Sequence, residues 1–206
     1  MKNTRQWTAL VAAWAVLILS GSMAALAAGP EKRIEPVLSG DGLYIQPWFQ
    51  ETFLDLKQDL ADAQKAKKRL MVIWEQRGCP YCKKMHTENL AIPAVNHYVR
   101  DNFMVLQLNL WGDKEVTDFD GEKLPEKDLA RKWGILFTPT LVFFKEAAEM
   151  GKGGKDSEAA RMPGLFNPQY FLAMFRYVKE KRYPTTHFQK YLLETDAELK
   201  KLLGSH

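Results

Sequence analysis

Apolar residues recur along this chain in two rhythms, and each change of rhythm marks a new element. In "PWFQETFLDLKQDLADAQKAKK", Phe53, Leu56, Leu60 and Ala63 fall three and four apart, which predicts a helix over about residues 50–66 with one apolar face. "RLMVIWEQ" then runs apolar, with β-branched and aromatic residues, and predicts a buried strand. The basic run "KAKKR" between them reads as a solvated helix end. A further helix is predicted over 80–90; Pro93 breaks it, and 94–100 add another turn or two. "FMVLQLNL" (103–110) predicts a second central strand, and "WGDKEVTDFDGEKL" a polar, acidic connector. "PEKDLARKWG" predicts a helix with Pro125 in its first turn and Gly134 at its end.

"TPTLVFF" (138–144) is a third strand with a proline at its mouth, "KEAAEMGKGGKDSEAA" a long hairpin loop, and "ARMPG" the returning strand. In "NPQYFLAMFRYVKEKR", Asn167 caps a helix that opens on Pro168 and buries Phe171, Phe175 and Val178. A last helix over about 188–203 follows Pro184 and carries Phe188, Tyr191, Leu192, Leu199, Leu202 and Leu203 on an apolar face, for the domain or for a partner. Strands alternating with helices, and no internal repeat, predict an α/β fold: a mostly parallel sheet covered on both faces and closed by an antiparallel hairpin.

The N-terminus changes where this fold begins. Lys2 and Arg5 precede the apolar run "WTALVAAWAVLIL", and "SGSMAALAAG" supplies small residues for a cut after Ala27, the layout of a secretory signal peptide over 1–27. A retained anchor is the alternative, since no charge interrupts residues 6–30. The polar and small residues from Ser20 onward leave fewer than the ~20 apolar residues a span needs, which favours cleavage. The 206 residues, 46% of them hydrophobic, suffice for one well-buried domain. Removing Lys2 and Arg5 from 29 basic residues set against 25 acidic ones leaves a net charge of +2, too balanced for a nucleic-acid or anionic-membrane partner.

Export gives meaning to the two cysteines, which lie together in "EQRGCPYCKKMH". A disulfide staple stabilises by closing a loop, and a bridge across two residues closes almost none. A c-type haem site needs histidine directly after the second cysteine, where Lys83 stands. Cys79, Cys82 and His86 form a partial set of soft ligands for Cu(I) or zinc, but His97, His187 and His206 are scattered singly and give no fourth. "TDFDGE" lacks the full spacing of a calcium loop and reads as a solvated acidic loop. The third use is redox. A Cys-x-x-Cys at a strand-to-helix junction puts Cys79 at a helix N-terminus, which favours its thiolate, with Lys83 and Lys84 one turn on; Cys82 lies deeper. That asymmetry suits attack by Cys79 on a disulfide and resolution by Cys82. Trp74, Trp111 and Trp133 either frame that surface or belong to the core.

"MVIWEQRGCPYC", followed at a distance by "FTPTLVFF", resembles the thioredoxin superfamily over about residues 48–182. The resemblance implies a thioredoxin fold, with a central mixed β-sheet, helices on both faces, and here an extra C-terminal helix in a helical extension over 183–206; residues 28–47 are an N-terminal leader. It also implies a cis-proline at Pro139 that packs against the cysteine pair, with Thr138, Pro139, Pro80 and Tyr81 as substrate-binding residues. A trans-proline at a strand entrance is the alternative. "WFQETFLDL", "GCPYCKKMH", "NLWGDKEVTDFDG" and "ARKWGILFTPTLVFF" look most like the exported thioredoxins of sulfur-oxidation (SoxW-type) systems. That likeness implies a periplasmic protein, fed by a membrane thiol donor of the CcdA or DsbD type and acting on disulfides of exported proteins, with no cofactor beyond the Cys79–Cys82 pair.

Two departures qualify the resemblance. Cytosolic thioredoxins carry a buried aspartate six residues before the first cysteine, where this chain has Ile73; Glu75 is the candidate proton acceptor in its place, or a strand-end carboxylate facing solvent. Pro80-Tyr81 is the dipeptide of glutaredoxins, whose potentials lie at about −200 to −230 mV against about −270 mV for thioredoxin. Of the paired glycines that precede the last glutaredoxin helix, Gly164 alone is present, which speaks against glutathione binding. The expectation is a periplasmic thiol–disulfide oxidoreductase acting as a reductase. The alternatives are a disulfide oxidase or isomerase, or a copper-binding thioredoxin-like module.

Overall fold

The computed structural model describes residues 31–147 and 151–204, so the predicted signal segment and part of the hairpin loop lie outside the described residues. Strands β1 (Val37–Leu38) and β2 (Tyr44–Ile45) pair in the leader. They are followed by helix α1 (Leu56–Lys65), β3 (Arg69–Glu75), α2 (Pro80–Lys84) continued by a π-helical turn (Met85–Asn89), α3 (Pro93–Asn102) and β4 (Phe103–Asn109). Next come β5 (Glu115–Thr117), β6 (Lys123–Pro125), α4 (Glu126–Trp133), β7 (Thr140–Phe144), β8 (Glu158–Pro163), α5 (Pro168–Lys179) and α6 (Phe188–Leu203). The central sheet runs β4-β3-β7-β8. β3 and β4 are parallel, while β3–β7 and β7–β8 are antiparallel, which makes the sheet mixed, as the thioredoxin fold requires.

Every residue of β3 is buried, because both sheet faces are covered. Side chains alternate between the faces: Leu70, Val72 and Trp74 pack with Leu56 and Leu60 of α1 and Leu129 and Trp133 of α4. Met71 and Ile73 pack on the other side with Val95 and Val99 of α3, Phe171 and Phe175 of α5, and Leu199 of α6. The C-terminal helix thus belongs to the domain core through Tyr191, Leu199 and Leu203, while Leu202 and Leu193 stay exposed.

Several expectations are corrected. α1 begins at Leu56, because the Asp55 side chain accepts from the N–H groups of Lys57 and Gln58; Phe53 therefore precedes the helix and is fully exposed. Pro93 starts a full helix rather than only breaking one, since its missing N–H costs nothing at the first position. Arg69 is no solvated helix end. It lies buried in β3, donates to the Phe144 carbonyl and the Tyr183 hydroxyl, and pairs with Glu146.

The acidic connector is ordered into the β5–β6 hairpin, and Pro125 ends β6 instead of opening α4. Its Asp118 is wholly buried and saturated: it accepts from the N–H groups of Phe119 and Gly154 and from the Trp133 indole, and pairs with Lys132 at 2.8 Å. A Cβ on Gly154 would collide with the Trp133 ring, so this approach of backbone to indole requires glycine. Lys132 also bonds Asp120 and Glu122. Burial works against its charge, but the hydrogen bonds it donates to the three carboxylates outweigh that and hold its pKa above the ordinary lysine range.

Candidate active site

β3 carries the chain from the centre of the sheet to Glu75, and a turn through Gly78, at φ 74°, delivers Cys79 to the start of α2. Cys79 is the N-cap and Pro80 takes the first helical position, where its missing N–H is harmless. The two cysteines are joined in a disulfide with Cα atoms 5.3 Å apart. Cys79 Sγ accepts the backbone N–H of Cys82 at 3.1 Å. Both sulfurs are largely covered, Cys82 (2% exposed) more than Cys79 (7%).

From the far side of the sheet, the loop before β7 brings Thr138-Pro139 against this pair through a cis peptide bond. The Thr138 hydroxyl lies 3.4 Å and its carbonyl oxygen 3.5 Å from Cys79 Sγ. The turn is held by the Thr140 hydroxyl donating to the Phe137 carbonyl and by Gly164 N–H donating to the Pro139 carbonyl, both at 2.7 Å. In the reduced state the Cys82 N–H and the Thr138 hydroxyl would both point at a Cys79 thiolate, and charge-assisted bonds of this kind stabilise it. Pro80 and Tyr81 stand exposed beside the sulfurs, and Leu136, Phe137 and Trp111 are exposed too. Trp111 is tethered by its indole N–H to Gln76, whose carbonyl in turn accepts from Cys79 N–H. Of the three tryptophans weighed from the sequence, Trp74 and Trp133 are core, in edge-to-face contact at 5.7 Å.

Glu75 does not face solvent. It is fully buried, and its Oε1 lies 2.8 Å from Nε2 of His86, itself fully buried. His86 follows Cys82 by four residues, so helical continuation through the π-turn turns both toward the interior. Sequence reasoning weighed His86 only as a metal ligand. The signal for a different role was the i,i+4 spacing from Cys82, combined with a carboxylate at the strand end. Among the described residues no group of three or more His, Cys, Asp and Glu is arranged to hold a metal ion. Ile73, at the position of the usual aspartate, is core. The leader was read only as polar, yet its Tyr44 ring and the Phe49 ring lie 6.3 and 5.8 Å from the imidazole.

A cysteine pair at a strand-to-helix junction, flanked by a cis-proline turn on a mixed sheet, defines a thiol–disulfide exchange site. A family model described as a thioredoxin-like domain matches residues 56–179, more than half of the chain, and the protein belongs to that family. No curated protein sequence matches it. Among solved structures, a thioredoxin-fold protein from Helicobacter pylori is similar over 71% of this chain and 97% of its own, at 16% identity and a TM-score of 0.51. A thioredoxin from Thermus thermophilus is similar over 60% of this chain and 83% of its own, at 27% identity and a TM-score of 0.46. Family, fold and cysteine pair together support thiol–disulfide oxidoreductase chemistry.

Proposed function

We propose that this protein is an exported, periplasmic protein-disulfide reductase of the sulfur-oxidation thioredoxin type, recharged by a membrane thiol donor of the CcdA or DsbD type. The observation that carries the chemistry is the Cys79 sulfur, which accepts the Cys82 N–H and faces Thr138 from across the cis-proline turn. In the reduced protein, the Cys79 thiolate attacks one sulfur of a client disulfide, and the electron pair of the broken S–S bond leaves on the other client sulfur, which takes up a proton. Cys82 then gives up its own proton and attacks Cys79 Sγ; the mixed disulfide breaks and the second client thiol departs. Two electrons pass to the client, and the Cys79–Cys82 disulfide remains.

Thr138 and Pro139 would position the client chain, and Pro80, Tyr81, Trp111 and Phe137 would offer it an apolar surface. Glu75 would take up the proton of Cys82. The pattern of residues 1–27 supports export, and among the described residues no helix is long and apolar enough to cross a membrane. The test is the reduction potential of Cys79–Cys82 in defined thiol–disulfide buffers, alongside reduction of insulin by wild type and by Cys79→Ser. A potential at or below about −230 mV with insulin reduction lost in Cys79→Ser supports the reductase. A potential of about −120 to −150 mV reassigns the protein as an oxidase or isomerase.

A further inference from the structure

We propose that His86 is a positioning residue for thiol–disulfide exchange: its Nε2–H holds the buried Glu75 carboxylate so that the free carboxylate oxygen receives the proton Cys82 loses when it resolves the mixed disulfide. The inference rests on the oxidoreductase reading above.

Three observations carry it. First, both side chains are fully buried, and the 2.8 Å contact between Glu75 Oε1 and His86 Nε2 is the hydrogen bond that joins them. Second, the remaining polar atoms, Glu75 Oε2 and His86 Nδ1, have no hydrogen-bond partner. A buried ionisable pair left half-satisfied is a poor stabiliser, since apolar side chains of the same volume would serve as well or better. Third, the pair flanks the cysteines along the chain, on the strand that leads to them and on the helix that carries them. Glu75 ends β3 four residues before Cys79, and His86 lies one turn beyond Cys82, whose sulfur is almost wholly screened from water. A thiol so placed needs an internal acceptor for its proton, and Ile73 stands where the usual acid would be.

The surroundings leave the pair to this task. Facing the imidazole from β2 is Tyr44, and from the segment after β2 the non-ionising Phe49. On its own helix Lys83 and Lys84 are exposed, and the cysteines are the reacting groups. Beside Glu75, β4 presents Asn109, and the buried Glu126 behind it is turned to the N–H groups of Asn109 and Lys114. β7 presents Thr140 opposite Trp74.

In the proposed step Nε2–H donates to Oε1 and the imidazole itself exchanges no proton. The Cys82 Sγ–H proton passes through one bridging water to Glu75 Oε2, which has no direct hydrogen-bond partner. Cys82 Sγ bonds to Cys79 Sγ, and the bond from Cys79 to the client sulfur breaks, its electron pair leaving on the client. When a donor dithiol reduces the pair, the proton returns from Oε2 to Cys82.

The experiment is stopped-flow reaction of the reduced full-length mature protein with a dye-labelled peptide disulfide, which separates attack by Cys79 from resolution by Cys82, at pH values from 6 to 9. In Glu75→Gln, an isosteric change that keeps an acceptor for His86, resolution at neutral pH is expected to slow about a hundredfold. His86→Leu slows it about tenfold, and His86→Gln, which restores an N–H donor, recovers most of that loss. Both slow variants approach wild type at pH 9, where solvent base removes the proton, while attack by Cys79 stays within about twofold throughout. Resolution in Glu75→Gln with the wild-type rate and pH profile overturns the proposal and leaves the pair structural. A wild-type protein that forms no mixed disulfide removes the oxidoreductase reading itself, and this inference with it.

Discussion

Asp118 and Glu75 are both wholly screened from water inside this domain, and they are treated in opposite ways. Asp118, in the β5–β6 hairpin, is given two backbone N–H groups, an indole N–H and an ammonium. Glu75, at the end of β3, is given one histidine, and half of its acceptor capacity is left open. A charge surrounded by donors on every side is locked, and its contribution is to hold Gly154, Trp133 and Lys132 in place. A charge that keeps a free oxygen retains the capacity to bind a proton, which is what a reaction uses. Saturation, more than burial, separates a structural acid from a working one.

The largest expected effect that breaks this comparison is on stability. Asp118→Ala leaves the Trp133 indole and the N–H groups of Phe119 and Gly154 without their acceptor, while Lys132 keeps Asp120 and Glu122, and should lower the unfolding free energy by about 2–4 kcal/mol in a denaturant titration. Disulfide reduction per folded molecule should stay within about twofold. A large loss of activity with little loss of stability would show Asp118 to be the working acid instead. Asp59 lies between the two cases: it is buried in α1, and one of its oxygens lacks a partner. Burial, reinforced by Asp55 and Asp62 and opposed by a hydrogen bond from Thr52, raises its pKa to about 6. The folded state therefore binds this proton more tightly than the unfolded state, so its contribution to stability falls as pH rises from about 4 to about 6 and is flat above. Asp59→Asn should gain about 1–2 kcal/mol at pH 7 and nothing at pH 4, as measured by urea unfolding at the two values. Glu75→Gln should move stability by no more than about 1 kcal/mol in the same titration, because its acceptor role toward His86 persists. The smallest effect concerns the exposed rim. Trp111→Ala should raise KM for a protein disulfide about threefold with kcat unchanged, and a change in kcat alone would place Trp111 in the chemistry rather than in client contact.

Much of this was readable from the chain, and the remainder failed for identifiable reasons. Local signals sufficed wherever one segment satisfied itself: the apolar run of β3, the Asn167 cap and Pro168 of α5, the Gly134 stop at αL, and the cysteine pair at its helix start. The Thr138-Pro139 turn was legible through resemblance, because a proline at a strand mouth is common in any fold. Legibility ended where a polar residue finds its partner far along the chain. Arg69 reads as part of a basic run until Phe144 and Tyr183 appear beside it. Asp118 reads as solvated until Gly154, 36 residues on, donates to it. His86 reads as a lone histidine until β3 brings Glu75 under it. Phe53 failed differently: its spacing matched the helix, but the Asp55 cap sets the start at Leu56, three residues later.

The stretch before the family domain alters what should count as the unit. Residues Lys32–His206 form one compact body, although the family match begins at 56. Tyr44 and Phe49 roof the imidazole, Gln107 donates to the Tyr44 carbonyl, and Trp48 and Gln46 both bond Asn96 of α3. Arg33 reaches the Thr87 carbonyl one residue beyond His86. A clone trimmed to the family boundary would thus carry both cysteines and still lack the roof over the Glu75–His86 pair. Homology delimits what has been inherited in common; the catalytic compartment here is closed by a segment outside it, where a lineage can retune proton access without touching the shared motif.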